Sequence, residues 1–252
     1  MSAPAGPWAA LAALVATELR LATRRGENLL VTGLVPAAVL AVLAGTAILP
    51  VPGRAVDTLL PGAIGLGVVA AGLVALGIST AYERSYGVLK RLGGAPIPRW
   101  IVLAAKLAST VIVVALQVAV LVAVAAAGFG WAPGHTAQPL VGLAGLALGI
   151  AAFGGFGLAL AGALRAEATL AVANGLFVGL LLVGGIVLPV DHLSEPLRTI
   201  AAILPSAPLV EVLGIALASG PAAGGDPVGP LAILAAWATV AALSAGRTFR
   251  WE

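Results

Sequence analysis

The 252-residue chain contains no cysteine, and only 9% of its residues are charged. The lack of cysteine excludes disulfide bonds, a thiolate nucleophile and any cysteine-ligated metal site. The two histidines, His135 and His192, lie far apart in the sequence, so we expect no metal site from this pair. A phosphate-binding loop needs a Gly-Lys pair, but the only two lysines follow Leu89 and Ala105. The chain therefore shows no ATP-binding motif of its own.

What the chain has in abundance is apolar sequence: 61% of its residues are hydrophobic and the mean hydropathy is +1.11. Soluble domains are about 45–50% apolar. The composition predicts an all-α polytopic membrane protein with little room for a separate soluble domain. The pI of about 10.0 has a simpler explanation in membrane orientation than in nucleic-acid binding.

Six apolar runs predict transmembrane helices, because about 20 residues at 1.5 Å rise cross a hydrocarbon core of about 30 Å. Residues 8–25 precede them and predict an amphipathic elbow helix in the membrane interface, anchored by Trp8. Pro36 predicts a kink in the first span. We expect a single transmembrane domain over residues 1–252, with spans at 29–49, 59–80, 101–127, 140–164, 170–188 and 229–245.

The region between the fifth and sixth spans, 189–228, does not follow this pattern. Its two apolar segments, 193–203 and 208–219, are each too short to cross the membrane. They predict a re-entrant helix pair that enters and leaves on the same side. The prolines that bracket the segments and the charges inside them are Pro189, Pro205, Pro221, Glu195, Arg198 and Glu211.

The basic residues predict the orientation of these spans. Six spans put both termini on one side, and 11 of the 13 lysines and arginines fall on that side. Arg54 and Arg198 are the two that fall on the other, and Lys106, at the start of the third span, is expected to snorkel to the basic face. The positive-inside rule makes the basic face cytoplasmic, which places the re-entrant pair outside.

The segment between the second and third spans, residues 82–100, concentrates charge in a chain that has little. Helix-forming residues at 83–92 predict one short charged helix presented in water at the membrane surface. Gly93 and Gly94 can leave helical geometry, and Pro96 and Pro98 cannot continue the helix. The alternative is an ordinary basic loop between two spans.

The predicted spans carry no ionisable residue near their middles, which argues against an ion-coupled transporter or an intramembrane enzyme. Gln117 and Asn174 are the deep polar residues, and both favour hydrogen bonds between helices. Gly145 and Gly149 form a G-x-x-x-G pair, which predicts close helix packing. Because the chain shows neither an ATP-binding motif nor an ion-coupling site, we expect another subunit to supply the energy for conformational change by pushing on the 82–100 segment.

The residues of this segment resemble a known family. The letters ERSYGVLKRL at 83–92, followed by API at 95–97 and RW at 99–100, resemble the E-R-x-x-G-T-L-x-x-L…T-P-x…R-W signature of ABC-2-type transporter permeases. Drug-resistance exporters and lipid or polysaccharide exporters belong to that family. The LP at 188–189, LRTI at 197–200 and LPSAPLVE at 204–211 are similar to the family's tail. Val88 and Leu204 depart from the usual Thr and Asn.

The resemblance implies that residues 82–98 form a coupling helix that docks on an ATPase subunit. Glu83 would pair with a donor on that subunit, Arg84 and Tyr86 would flank it, and Leu89 would pack in the docking cleft. It also implies two permeases and two ATPases in a bacterial cytoplasmic membrane, surrounded by lipid. ATP and Mg would be bound by the ATPases, with no cofactor in this chain. The implied coupling and external residues are Glu83, Arg84, Tyr86, Gly87, Leu89, Arg91 and Pro96, and Pro189, Arg198, Pro205, Pro208 and Glu211.

Three functional classes are compatible with this sequence. The first is an ABC exporter permease for a drug-like or lipidic amphiphile, which the apolar spans and small external loops favour. The second is a membrane enzyme acting on lipids, which the missing intramembrane acid or base disfavours. The third is an assembly subunit that transports nothing. An adjacent ATPase gene would favour the first.

Overall fold

The computed structural model describes residues 6–24, 26–46, 53–94, 97–186 and 194–248. Within these ranges every regular element is a helix, as predicted for an all-α protein. The helices are α1 (Pro7–Arg24), α2 (Gly26–Gly45), α3 (Ala55–Val69), α4 (Gly77–Ser85), α5 (Val88–Gly93), α6 (Arg99–Phe129), α7 (Pro139–Ala163), α8 (Ala166–Val183), α9 (Glu195–Ile203), α10 (Ser206–Leu217) and α11 (Val228–Thr248).

The predicted spans correspond to long apolar helices of the described chain. Five helices have the length and composition to cross a membrane, including α6, α7, α8 and α11. The fifth is Ala55–Ser85, in which a π-helical segment, Ala70–Leu76, joins α3 to α4. The first predicted span is helical over Gly26–Gly45, with Pro36 inside the helix. The α8 helix ends at Val183, five residues before the predicted end of the fifth span.

Successive spans run in opposite directions between two ends of the bundle. We call the end that holds Glu83, Lys106 and Thr248 the charged end. Thr248 Oγ1 donates to the Ala159 carbonyl there, at 3.2 Å. We call the other end the opposite end. There Ser219 Oγ donates to the carbonyl oxygen of Asp57 at 2.8 Å, next to the ends of α3 and α6.

The core of the bundle is the Ala55–Ser85 helix packed against α7 and α10. Gly157 of α7 lies very close to this helix, because a Cβ there would lie 2.5 Å from the carbonyl oxygen of Gly72 in the π-helical segment. Gly145 and Gly149 face Val212 and Leu209 of α10 in the same way. The predicted packing role of this G-x-x-x-G pair is therefore confirmed, and it is used within the chain.

The short helices α9 and α10 form the bent pair that was predicted between the last two spans. They meet at an angle of 76°, and Pro205 stands at the bend as the residue before α10. At the bend, the Ile203 carbonyl accepts a 2.7 Å hydrogen bond from Trp237 Nε1. Trp237 is nine residues into α11, about 14 Å along its axis. The α10 helix then returns to Ser219 at the opposite end, so the pair has the geometry of a re-entrant loop.

Candidate functional site

The 82–100 segment is divided by a sharp break at Gly87. The α4 helix continues through Ser85, since no glycine or proline interrupts it earlier, and Gly87 then adopts φ 71°, which strains any residue with a Cβ. A new helix, α5, covers only Val88–Gly93. The prediction of one continuous helix over 83–92 is therefore wrong. Pro96 lies outside the described residues.

Helix α5 lies against the bundle through Leu89. This side chain is 1% exposed and packs on Val102 of α6, with Leu14 of the elbow helix α1 beside it. The opposite side of the segment is open, because Tyr86 is 72% exposed and Val88 is 40% exposed. Leu89 therefore fastens the segment to its own chain, and the prediction that it is available to another subunit is wrong.

Glu83 lies on the inner face of the last turn of α4, where it pairs with a buried lysine. Lys106 Nζ is 2.6 Å from Glu83 Oε2 and 2.8 Å from Glu18 Oε1 of α1, and Lys106 itself is fully buried. We call these three residues the Lys106 cluster. The prediction that Glu83 is presented to water is wrong, as is the expectation that Lys106 snorkels to the membrane surface. One ammonium group instead joins the elbow helix, the second span and the third span.

Arg84 ties the same region to the next pair of spans. Its guanidinium donates to the carbonyl of Gly162 at 2.5 Å and to the carbonyl of Leu164, both at the C-terminal end of α7. A cation is favourable there because the last carbonyls of a helix lack partners within it. Ala81 of α4 packs beside this contact against Ala161 and Ala166. Arg84 is therefore a link within the chain. Among the predicted coupling residues that the structure describes, Tyr86 and Arg91 are the exposed ones.

Sequence reasoning missed Glu18 and misread Lys106, although each carries a signal. Glu18 is the one acid among the basic residues of α1. Lys106 is the one charge in the apolar sequence that follows Arg99 in α6. A lone acid on an interfacial helix and a lone lysine inside a span are candidates for pairing, since an unpaired charge is costly at that depth.

The predicted external residues gather at the re-entrant pair. Arg198 of α9 and Glu211 of α10 line one cavity, with Pro208 in its wall. Pro205 makes the bend, and Pro189 lies outside the described residues. In the described ranges, no group of three or more acidic or histidine side chains is placed to hold a metal.

These features define a helical polytopic membrane protein whose charged end carries a short fastened helix with an exposed face. The family model described as ABC-2 type transporter matches residues 9–217. The chain therefore belongs to the ABC-2 type transporter family and is the membrane permease of an ABC transporter. No curated protein matches the chain closely enough to count as a relative.

Proposed function

We propose that this permease exports a hydrophobic or amphiphilic molecule, drug-like or lipidic, using ATP hydrolysed by a separate subunit that docks on the charged end. The observation that carries the proposal is α5, fastened inward by Leu89 while Tyr86 and Val88 stay exposed. The adjoining α6 helix has 31 residues, about 46 Å, so it projects beyond a hydrocarbon core of about 30 Å. Exposed apolar side chains beyond the membrane are typical of a protein-binding surface.

The contacts around α5 supply a route from this surface to the spans. Leu89 fixes α5 to α6, and the Lys106 cluster fixes α6 to both α4 and α1. A displacement of α5 would therefore carry the ends of the second and third spans together. Arg84 extends the link to the end of α7. The second permease copy that the family implies would complete the pathway between subunits.

The direct test is reconstitution of the permease with its candidate ATPase in lipid vesicles. We expect stable co-purification, and ATP hydrolysis that rises when a lipid-soluble amphiphile is added. We also expect ATP-dependent movement of that amphiphile across the bilayer. A stable complex that hydrolyses ATP without moving any amphiphile would favour an assembly role. Chemical change of the lipids would favour an enzyme.

The cytoplasmic position of the charged end is a separate prediction, supported by the distribution of charge. Of the 11 basic residues in the described ranges, Arg54 and Arg198 lie at the opposite end and nine lie at the charged end. Because the chain lacks cysteine, single cysteines can be placed at the exposed residues Ser85 and Asp226. An impermeant thiol reagent added to intact cells should label Asp226→Cys, and should label Ser85→Cys only after permeabilisation. Labelling of Ser85→Cys in intact cells would reverse the orientation.

A further inference from the structure

A cavity of about 530 Å³ lies at the opposite end of the bundle, between the re-entrant pair and the first turns of α3 and α11. Its volume is within the range of about 300–1,000 Å³ that is typical of small-molecule sites. Most of its wall is apolar or made of small residues. Representative wall residues are Pro61, Ile186, Ala202, Ala222, Pro230 and Ile233.

Two opposite charges line this mostly apolar cavity. The bend between α9 and α10 brings Arg198 from one helix and Glu211 from the other to the same space. Arg198 Nη1 is also 3.6 Å from Glu195 Oε1, one turn earlier in α9, but both side chains are solvent-exposed and such pairs add little stability. A guanidinium has five N–H donors, so this contact leaves donors for a phosphate.

The cavity extends from the ends of the spans at the opposite end inward past their first turns, so its rim adjoins the headgroup region of a bilayer. Thr58 lies in the first turn of α3, and Ile233 lies five residues into α11, about 7–8 Å from its start. The interfacial layer on each side of the hydrocarbon core is about 5–8 Å thick. The cavity therefore offers charge at headgroup level and apolar walls next to it.

We propose that this cavity binds a zwitterionic phospholipid, with the lipid phosphate at Arg198 and its ammonium group at Glu211. The first carbons of the acyl chains would contact the apolar wall formed by Pro61, Ala202 and Ile233. A purely anionic lipid would place negative charge against Glu211, which disfavours it. The site is far from the charged end, and its occupancy does not depend on export or on an ATPase.

The test uses the purified full-length permease alone, delipidated in detergent, with lipid binding measured by native mass spectrometry. The probes are dioleoylphosphatidylethanolamine, dioleoylphosphatidylglycerol and soluble phosphoethanolamine. We expect the zwitterionic lipid to bind about 10-fold more tightly than the anionic lipid. We also expect it to bind at least about 100-fold more tightly than soluble phosphoethanolamine, because only the lipid contacts the apolar wall. Equal affinity for the two lipids would overturn the proposal, and equal affinity for the soluble headgroup would overturn its lipid part.

Three variants make the assignment specific to these residues. Arg198→Gln and Glu211→Gln should each weaken binding of the zwitterionic lipid about 10-fold. Glu211→Lys should reverse the preference toward the anionic lipid, a gain that a misfolded protein could not show. Arg54→Gln, a basic residue at the same end outside the cavity wall, is the matched control and should change neither affinity. Unchanged lipid preference in Glu211→Lys would refute the site.

Discussion

Replacement of Lys106 by methionine is expected to destabilise the permease by about 3–5 kcal/mol, the cost of breaking a buried ion pair by removing one partner. Lys106 is fully buried and lies within 2.8 Å of carboxylate oxygens from both Glu18 and Glu83. Without its ammonium group, two carboxylates remain close together with no counter-charge. We expect a clear fall in the thermal unfolding midpoint of the detergent-solubilised protein. Lys90→Met, at an exposed position of α5, is the matched control and should change stability by less than about 1 kcal/mol.

A triple variant, Glu18→Gln, Glu83→Gln and Lys106→Met, separates stability from coupling. Neutral groups of similar size avoid the unpaired charges, so most of the lost stability should return. The triple variant should still bind the ATPase, because the exposed face of α5 is unchanged. If the Lys106 cluster carries movement from α5 to the spans, ATP-driven transport should fall while ATPase binding persists. A single Lys106→Met variant as stable as wild type would contradict the burial argument.

The elements set by local pattern could be predicted from sequence alone. The apolar runs located the long helices, because any helix in lipid must satisfy its own backbone. Short apolar segments bracketed by prolines located the re-entrant pair around Pro205, which stands at the observed bend. Helical periodicity located the elbow helix, with Trp8 74% exposed at its start.

The orientation of individual side chains at the charged end could not be predicted in this way. Glu83 is charged and Leu89 is apolar, yet both side chains face inward because α1 and α6 pack over them. That packing joins residues 88 positions apart in the chain, as in the contact of Lys106 with Glu18. A single sequence contains no record of such long-range contacts. This packing matters for function, because the residues that attach the 82–100 segment to the bundle differ from the exposed residues that can contact another subunit.

The exposed face of the 82–100 segment therefore gives the sharpest prediction for coupling. We expect the double variant Tyr86→Ser and Val88→Ser to weaken ATPase binding at least about 30-fold. That is roughly 2 kcal/mol, the loss typical of an interface hot spot. Tyr86 is 72% exposed although its ring contacts Tyr82, and Val88 is 40% exposed, so the thermal unfolding midpoint of the permease should fall only slightly. ATPase binding can be measured by titrating the purified subunit onto the permease in nanodiscs.

Two controls decide whether this loss comes from the surface or from the fold. Arg99→Ala changes an exposed residue at the start of α6, where we expect a membrane-headgroup contact, and should lower ATPase binding only slightly. Leu89→Asp places a charge in the buried contact with Val102, so it should reduce the stability of the permease itself. ATPase binding would then fall together with the fold, unlike the selective loss in the Tyr86 and Val88 variant. If that double variant binds the ATPase as tightly as wild type, the docking surface lies elsewhere and α5 serves only to brace the spans.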